Sequence, residues 1–277
     1  MAADEGATGG GRRFDGKVVI VTGGGRGIGE ATVHRFAGEG ARVLLVDIDS
    51  AGAERVAADV AAAGAPGEVA VCIGDICTME GIERMVTEAV GHWGRLDVVV
   101  NNAVSPTVGP LLELDEEGWQ RTFDSSVTAV WRSVRVAAPV MATTGGGAFV
   151  NISTNAALAA IPGLGAYGAA KAGVIQLTRQ IAVECAAQGI RANSITPGVI
   201  MSPVIAALVG LLDRTALDAD LVSGPGQPAQ LAAVVAFLAS DDASYVNGEN
   251  IQVDGGWFAK REPGGMTFGI PGGPGMT

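Results

Sequence analysis

The chain has 277 residues, of which 48% are hydrophobic and 17% charged, and a formal net charge of −11. That length suffices for one large α/β domain with a substantial buried core. The acidic balance excludes a general nucleic-acid surface or an anionic-membrane face, both of which need clustered Lys and Arg.

Residues 1–13 (MAADEGATGGGRR) have no apolar core, do not read as a secretory signal, and are expected to be disordered. From there short β-branched runs alternate with Ala-rich stretches of helical length, the pattern of βαβ units in a parallel sheet. The first expected strand, Lys17 to Val21, runs into Thr22-Gly23-Gly24-Gly25-Arg26-Gly27-Ile28-Gly29 and then a helix over Ile28 to Glu39. Glycines at a strand-to-helix turn let the backbone approach a pyrophosphate, which then rests on the helix N-terminus where free N–H groups and the dipole favour anions. The second strand, Arg42 to Asp47, ends on a carboxylate positioned to accept hydrogen bonds from the adenosine ribose hydroxyls and to repel a 2′-phosphate. That favours NAD over NADP, with Arg26 as a partial counterweight.

A helix over Glu54 to Ala63, a third strand over Glu68 to Ile73 and a helix over Met79 to Gly91 follow. A fourth strand over Leu96 to Val100 then leads to a long helix over Glu117 to Met141, and a fifth strand over Ala148 to Ser153 to a helix over Ala166 to Ala187. The last strands are Arg191 to Ile195 and Asn250 to Val253, while Gly40, Gly64 and Gly189 read as helix stops. Seven strands fit one doubly wound sheet, a single domain over residues 14–260. Residues 261–277 form a Gly- and Pro-rich tail that cannot continue a regular element.

Cys72, Cys77 and Cys185 lack a zinc-like spacing, and His34 and His92 are too few for a metal cluster or triad, so no metal site is expected. No uninterrupted run of about 18 apolar residues is present to span a membrane. The expected setting is cytoplasmic, with reduced thiols.

The chain contains only two tyrosines and three lysines, and Tyr167 and Lys171 stand four apart on one expected helix face. A fixed positive charge beside a phenol favours phenolate and draws the pKa of about 10 toward working pH. Such a phenol can give a proton to a carbonyl or take one from an alcohol without a metal.

With the glycine loop at its start and Tyr-x-x-x-Lys in its second half, the chain resembles the short-chain dehydrogenase/reductase family in its classical form, from about Lys17 to Trp257. Asp75-Ile76, Asn101-Asn102-Ala103, Pro197-Gly198 and Val253-Asp254-Gly255-Gly256 follow in the family's order. The resemblance implies a Rossmann-like fold, a nicotinamide dinucleotide, and transfer of hydride between alcohol and ketone. It also implies that Asp75 and Ile76 contact adenine and that Asn102 lines the cofactor cleft. Ile200 and Ser202 would hold the carboxamide, and Lys171 the nicotinamide ribose. Three positions depart from the pattern. Val104 stands where a glycine is common, and Thr154 where the active-site serine is expected, with Ser153 facing the other way if still in strand. Ser126 stands where an asparagine supports a water relay to the lysine.

Val199 to Val222 is rich in Ile, Leu and Val, and as an apolar lid it favours an alicyclic, terpenoid or steroid-like substrate. An NADPH-dependent 3-oxoacyl thioester reductase and a non-catalytic NAD-binding scaffold remain as alternatives. The apolar surface of the two long helices, which in the resembled family pair across a two-fold axis, leads to an expected homotetramer.

Overall fold

The computed structural model describes residues 12–201 and 224–259. Seven parallel strands lie in the order β3-β2-β1-β4-β5-β6-β7. They are β1 (Val18–Thr22), β2 (Arg42–Asp47), β3 (Glu68–Ile73), β4 (Val98–Asn101), β5 (Gly147–Ile152), β6 (Ile190–Pro197) and β7 (Asn250–Val253). Central strands such as Val18-Val19-Ile20-Val21 are buried residue by residue because helices cover both faces, which is why they read as continuous apolar runs without alternation. Each fully buried aliphatic side chain there contributes roughly 1.5–3 kcal/mol.

One face is closed by α1 (Gly27–Gly38) and α2 (Ser50–Ala62) together with α7 (Pro228–Ala239), whose Val33, Phe36, Val56 and Val235 pack on Val19, Val21 and Val100. On the other, α3 (Met79–Trp93), α5 (Ala129–Thr143) and α6 (Gly165–Glu184) place Ile82, Met85, Met141 and Val174 against Ile20, Val99 and Phe149. Strand order reverses between β1 and β4, and in such sheets ligands bind in the crevice beyond the carboxyl ends of the strands at that point.

Some sequence expectations change. The long helix expected over Glu117 to Met141 is α4 (Glu116–Phe123), a π-helical turn over Asp124–Thr128, and α5. Such one-turn π bulges gather at functional sites, and this one carries Ser126. Helix α7 was not anticipated, although its start is marked by Pro228 in the first turn and by a reciprocal Gln227–Gln230 capping box. Its almost uniformly apolar sequence hid the helical period. Arg13, assigned to the terminal segment, is anchored: its guanidinium bonds Glu39 at 2.7 and 2.8 Å and Asp242 at 3.3 Å. Gly40, Gly64 and Gly189 all have positive φ directly after helices, as stops require. Ser202, most of the expected lid and the tail 261–277 lie outside the described residues. Within the described part, no helix is long and apolar enough to cross a membrane.

Candidate active site

The glycine loop leaves β1 and enters α1 at Gly27 with no side chain capping the helix. Its first N–H groups are therefore available to an anion. Gly23 and Gly27 have φ of 65° and 59°. A Cβ on Gly29 would stand 1.9 Å from the Gly23 carbonyl oxygen, so the tight turn excludes any side chain. This cradle fits a dinucleotide pyrophosphate.

Asp47, at the end of β2, is oriented by the same loop: Oδ2 accepts the Gly25 N–H at 2.9 Å and Oδ1 that of Asp49 at 3.1 Å. Each carboxylate oxygen keeps a lone pair for a ribose hydroxyl. Arg26 is exposed beside it. The nearby Arg55 is occupied by Glu30, Asp59 and the Gly25 carbonyl.

Asp75 is exposed in the turn after β3, one oxygen accepting the Cys77 N–H at 2.8 Å, and Ile76 is half-buried next to it. Asn102 has a structural task that spacing does not reveal. Its amide nitrogen donates to the Thr22 and Gly23 carbonyls at 2.9 and 3.1 Å, bracing the glycine loop from β4. Ile200 is buried and bridges to Gly226. Gly198 lies against Asp254, where a Cβ would come within 2.8 Å of its Cα. That close approach accounts for Pro197-Gly198 and the Asp-Gly-Gly run occurring together.

On the α6 side, Tyr167 is half-buried, with Thr154 close enough to lower its pKa slightly. Thr154 is extended at the end of β5, where its hydroxyl accepts the Ala156 N–H. Ser153 turns away, and its buried hydroxyl donates to the Lys171 carbonyl at 3.1 Å. Lys171, one turn on from Tyr167, is 3% exposed; its ammonium lies 5.9 Å from the phenol ring centroid and donates to the Ile152 carbonyl at 2.7 Å.

The electrostatics correct one expectation. Burial pushes the Tyr167 phenol up to about 12, against a smaller lowering by the Thr154 side chain. Burial meanwhile lowers Lys171 to about 8. Desolvation disfavours the charged form of both groups, raising the phenol and lowering the amine.

Ser126, on the π turn, is 1% exposed, and its Oγ has no hydrogen-bond partner among the described residues. It lines a small cavity together with Lys171 and Asn101. The neighbouring Ser125 accepts the Ser105 N–H at 3.1 Å, and Thr122 that of Thr107 at 2.9 Å. The end of α4 and the π turn thereby hold the loop after β4 at Ser105 and Thr107.

A family profile described as enoyl-(acyl carrier protein) reductase matches residues 23–258. The glycine cradle, the Tyr167–Lys171 face and that match over most of the chain agree. The chain is a classical short-chain dehydrogenase/reductase. It is 37% identical over 249 residues to cyclohexanol dehydrogenase of Acinetobacter sp., covering 90% of this chain and 97% of that one. With 3-oxoacyl-(acyl-carrier-protein) reductase of Thermotoga maritima it shares 36% identity, over 88% and 98% of the two chains. Among solved structures, 7α-hydroxysteroid dehydrogenase complexed with NADH and 7-oxo glycochenodeoxycholic acid superposes with a TM-score of 0.83 at 29% identity, covering 90% of this chain and 96% of that one. This short-chain dehydrogenase/reductase is accordingly an oxidoreductase acting on CH–OH groups, of a family that uses a nicotinamide cofactor.

The sequence marks a substrate surface only after Pro197. The fold adds two loops: Val104, Val108, Leu111 and Leu112 follow β4, Leu158 and Ile161 follow β5, and all are exposed. Gly109 N–H donates to the Gly163 carbonyl at 3.0 Å, tying the loops together. Clusters of exposed apolar side chains are the signal, but only tertiary contact joins these two.

Proposed function

We propose that this short-chain dehydrogenase/reductase is an NAD-dependent enzyme interconverting a secondary alcohol and a ketone on a hydrophobic, alicyclic, terpenoid or steroid-like substrate. The observation that carries the reading is Tyr167 beside Thr154 with the buried Lys171 on the next helical turn, at the carboxyl end of the sheet beside the glycine cradle. In the oxidative direction Tyr167 takes the alcohol proton, and Thr154 orients the substrate oxygen and stabilises its charge. The bound dinucleotide supplies the hydride acceptor and a positive charge. That charge, with Lys171, opposes the desolvation that holds the phenol near 12.

Cradle residues Gly23, Arg26, Gly27, Ile28 and Gly29 would hold the pyrophosphate, and Asp47 the ribose. Asp75 and Ile76 would take adenine, with Asn102, Ile200, Tyr167 and Lys171 along the nicotinamide side. NAD is favoured because Asp47 is followed by Ile48 and Asp49, a carboxylate-rich strand end, and Arg55 is already neutralised by Glu30 and Asp59. The apolar side chains of the two tied loops support a hydrophobic substrate.

The thioester-reductase reading draws on the Thermotoga relative, but Asp47 and Asp49 oppose its NADPH. We further infer a cytoplasmic homotetramer: Trp119, Trp131 and Val183 on α4, α5 and α6 are exposed at 39%, 46% and 76%. Large side chains of that kind are the ones a subunit interface covers.

The test is a panel of cyclic and steroid alcohols with NAD, run on wild type and Tyr167→Phe. The phenylalanine variant should lose roughly 10²- to 10⁴-fold in turnover while its NAD affinity changes little. Near-wild-type turnover of the variant on any alcohol would show that the acid/base assignment is wrong.

A further inference from the structure

At the adenosine end of the cradle, Gly25 is held on both sides. Its N–H donates to Asp47 Oδ2 at 2.9 Å, and its carbonyl accepts from Arg55 Nη2 at 3.1 Å. A single residue therefore separates the carboxylate assigned to the ribose from a guanidinium on α2. The packing between them is tight: a Cβ on Gly25 would stand 2.9 Å from Asp47 Oδ2 and 3.2 Å from the Ala53 nitrogen.

A guanidinium so close to the proposed ribose site is what a 2′-phosphate needs, because Arg binds phosphate through parallel N–H groups of a planar fork. Here the fork is already engaged. Nη1 donates to Glu30 Oε1 at 2.8 Å and to Asp59 Oδ2 at 3.0 Å, while Nη2 donates to Glu30 Oε2 at 2.9 Å and to the Gly25 carbonyl. Each terminal nitrogen carries two hydrogens, so all of them are committed and only Nε–H remains.

The partners are unequal. Asp59 is an exposed i,i+4 neighbour that takes one bond, a weak kind of pair, and the Gly25 carbonyl is neutral. Glu30, in the first turn of α1, grips both terminal nitrogens at once, as a phosphate would. Removing Glu30 frees one hydrogen on each of them, which restores the parallel pair.

Resting on the NAD reading above, we infer that Glu30 is a cofactor-selectivity residue. By occupying the fork of Arg55 it keeps a latent 2′-phosphate site closed. Two carboxylates then oppose NADP in different ways. Asp47 repels the phosphate directly, and Glu30 withholds the cation that would bind it.

The experiment titrates NADPH and NADH by fluorescence and reads the ratio of their affinities, which cancels any loosening of the glycine loop common to both. It is run in an Asp47→Ala background, where the direct repulsion is gone. Adding Glu30→Ala should shift the ratio at least about tenfold further toward NADPH, the worth of a hydrogen bond to a charged group. Adding Arg55→Met as well should abolish that gain. No gain from Glu30→Ala overturns the inference. So does a gain that persists without Arg55, since it would mark Glu30 as one more negative charge near the site. Wild type titrated alongside separates the two failures. If it binds NADPH at least as tightly as NADH, the NAD reading falls and the inference with it; if it prefers NADH and Glu30→Ala brings no gain, only the role of Glu30 falls.

Discussion

Replacing Lys171 by Met sets the site against the fold, because the ammonium is buried with no carboxylate beside it. Burial lowers its pKa from the usual 10.5 to about 8. Below the folded value both states are charged and the full cost of burying the ion is present. Between the two values the unfolded chain binds more protons than the folded one, so wild-type stability rises with pH across that window. At about 1.36 kcal/mol per unit, the cost is on the order of 3 kcal/mol near pH 6, and roughly 2 kcal/mol of it is relieved by about pH 9.5. The hydrogen bond to Ile152 is made by charged and neutral amine alike and largely cancels from the pH difference. Tyr167, held near 12, titrates above the window. Urea unfolding of dialysed wild type and Lys171→Met at matched protein concentration measures the effect. The stability advantage of the methionine variant over wild type should shrink by about 2 kcal/mol from pH 6 to 9.5, while alcohol oxidation is lost throughout. A stability difference that stays flat with pH refutes this account.

Asp47→Ala should shrink the preference for NAD over NADP by roughly 10- to 100-fold, the worth of one or two hydrogen bonds to a charged group, and calorimetry with both dinucleotides checks it; tighter NADP binding by wild type would sink the Asp47 argument. Gly29→Ala forces a Cβ to within 1.9 Å of the Gly23 carbonyl, so NADH affinity, read by fluorescence, should fall at least tenfold, about the loss of one hydrogen bond to the pyrophosphate. Trp131→Glu should dissociate the assembly to dimers or monomers in light scattering, whereas a wild type that is monomeric at micromolar concentration would remove the tetramer.

The chain carried its sheet openly. Buried parallel strands need unbroken Val and Ile runs, and helix stops need glycines at positive φ, so β2, β3 and β7 and the stops at Gly40, Gly64 and Gly189 could be read directly. The glycine loop and the Tyr167–Lys171 spacing were legible for the same reason, since each is set by local backbone geometry over a few residues. Helix α7 was obscured because an all-apolar helix has no polar face to mark its period.

What only tertiary structure decided concerns groups brought together from distant segments. The π turn that sets Ser126 inward, the grip of Glu30 on Arg55, and the pairing of the loops after β4 and β5 depend on contacts between elements. So does the electrostatic state of the site. Spacing gave Tyr167 a positive neighbour, but the depth to which the fold buries both side chains is a property of packing. In this protein desolvation, not proximity, sets the direction of both pKa shifts.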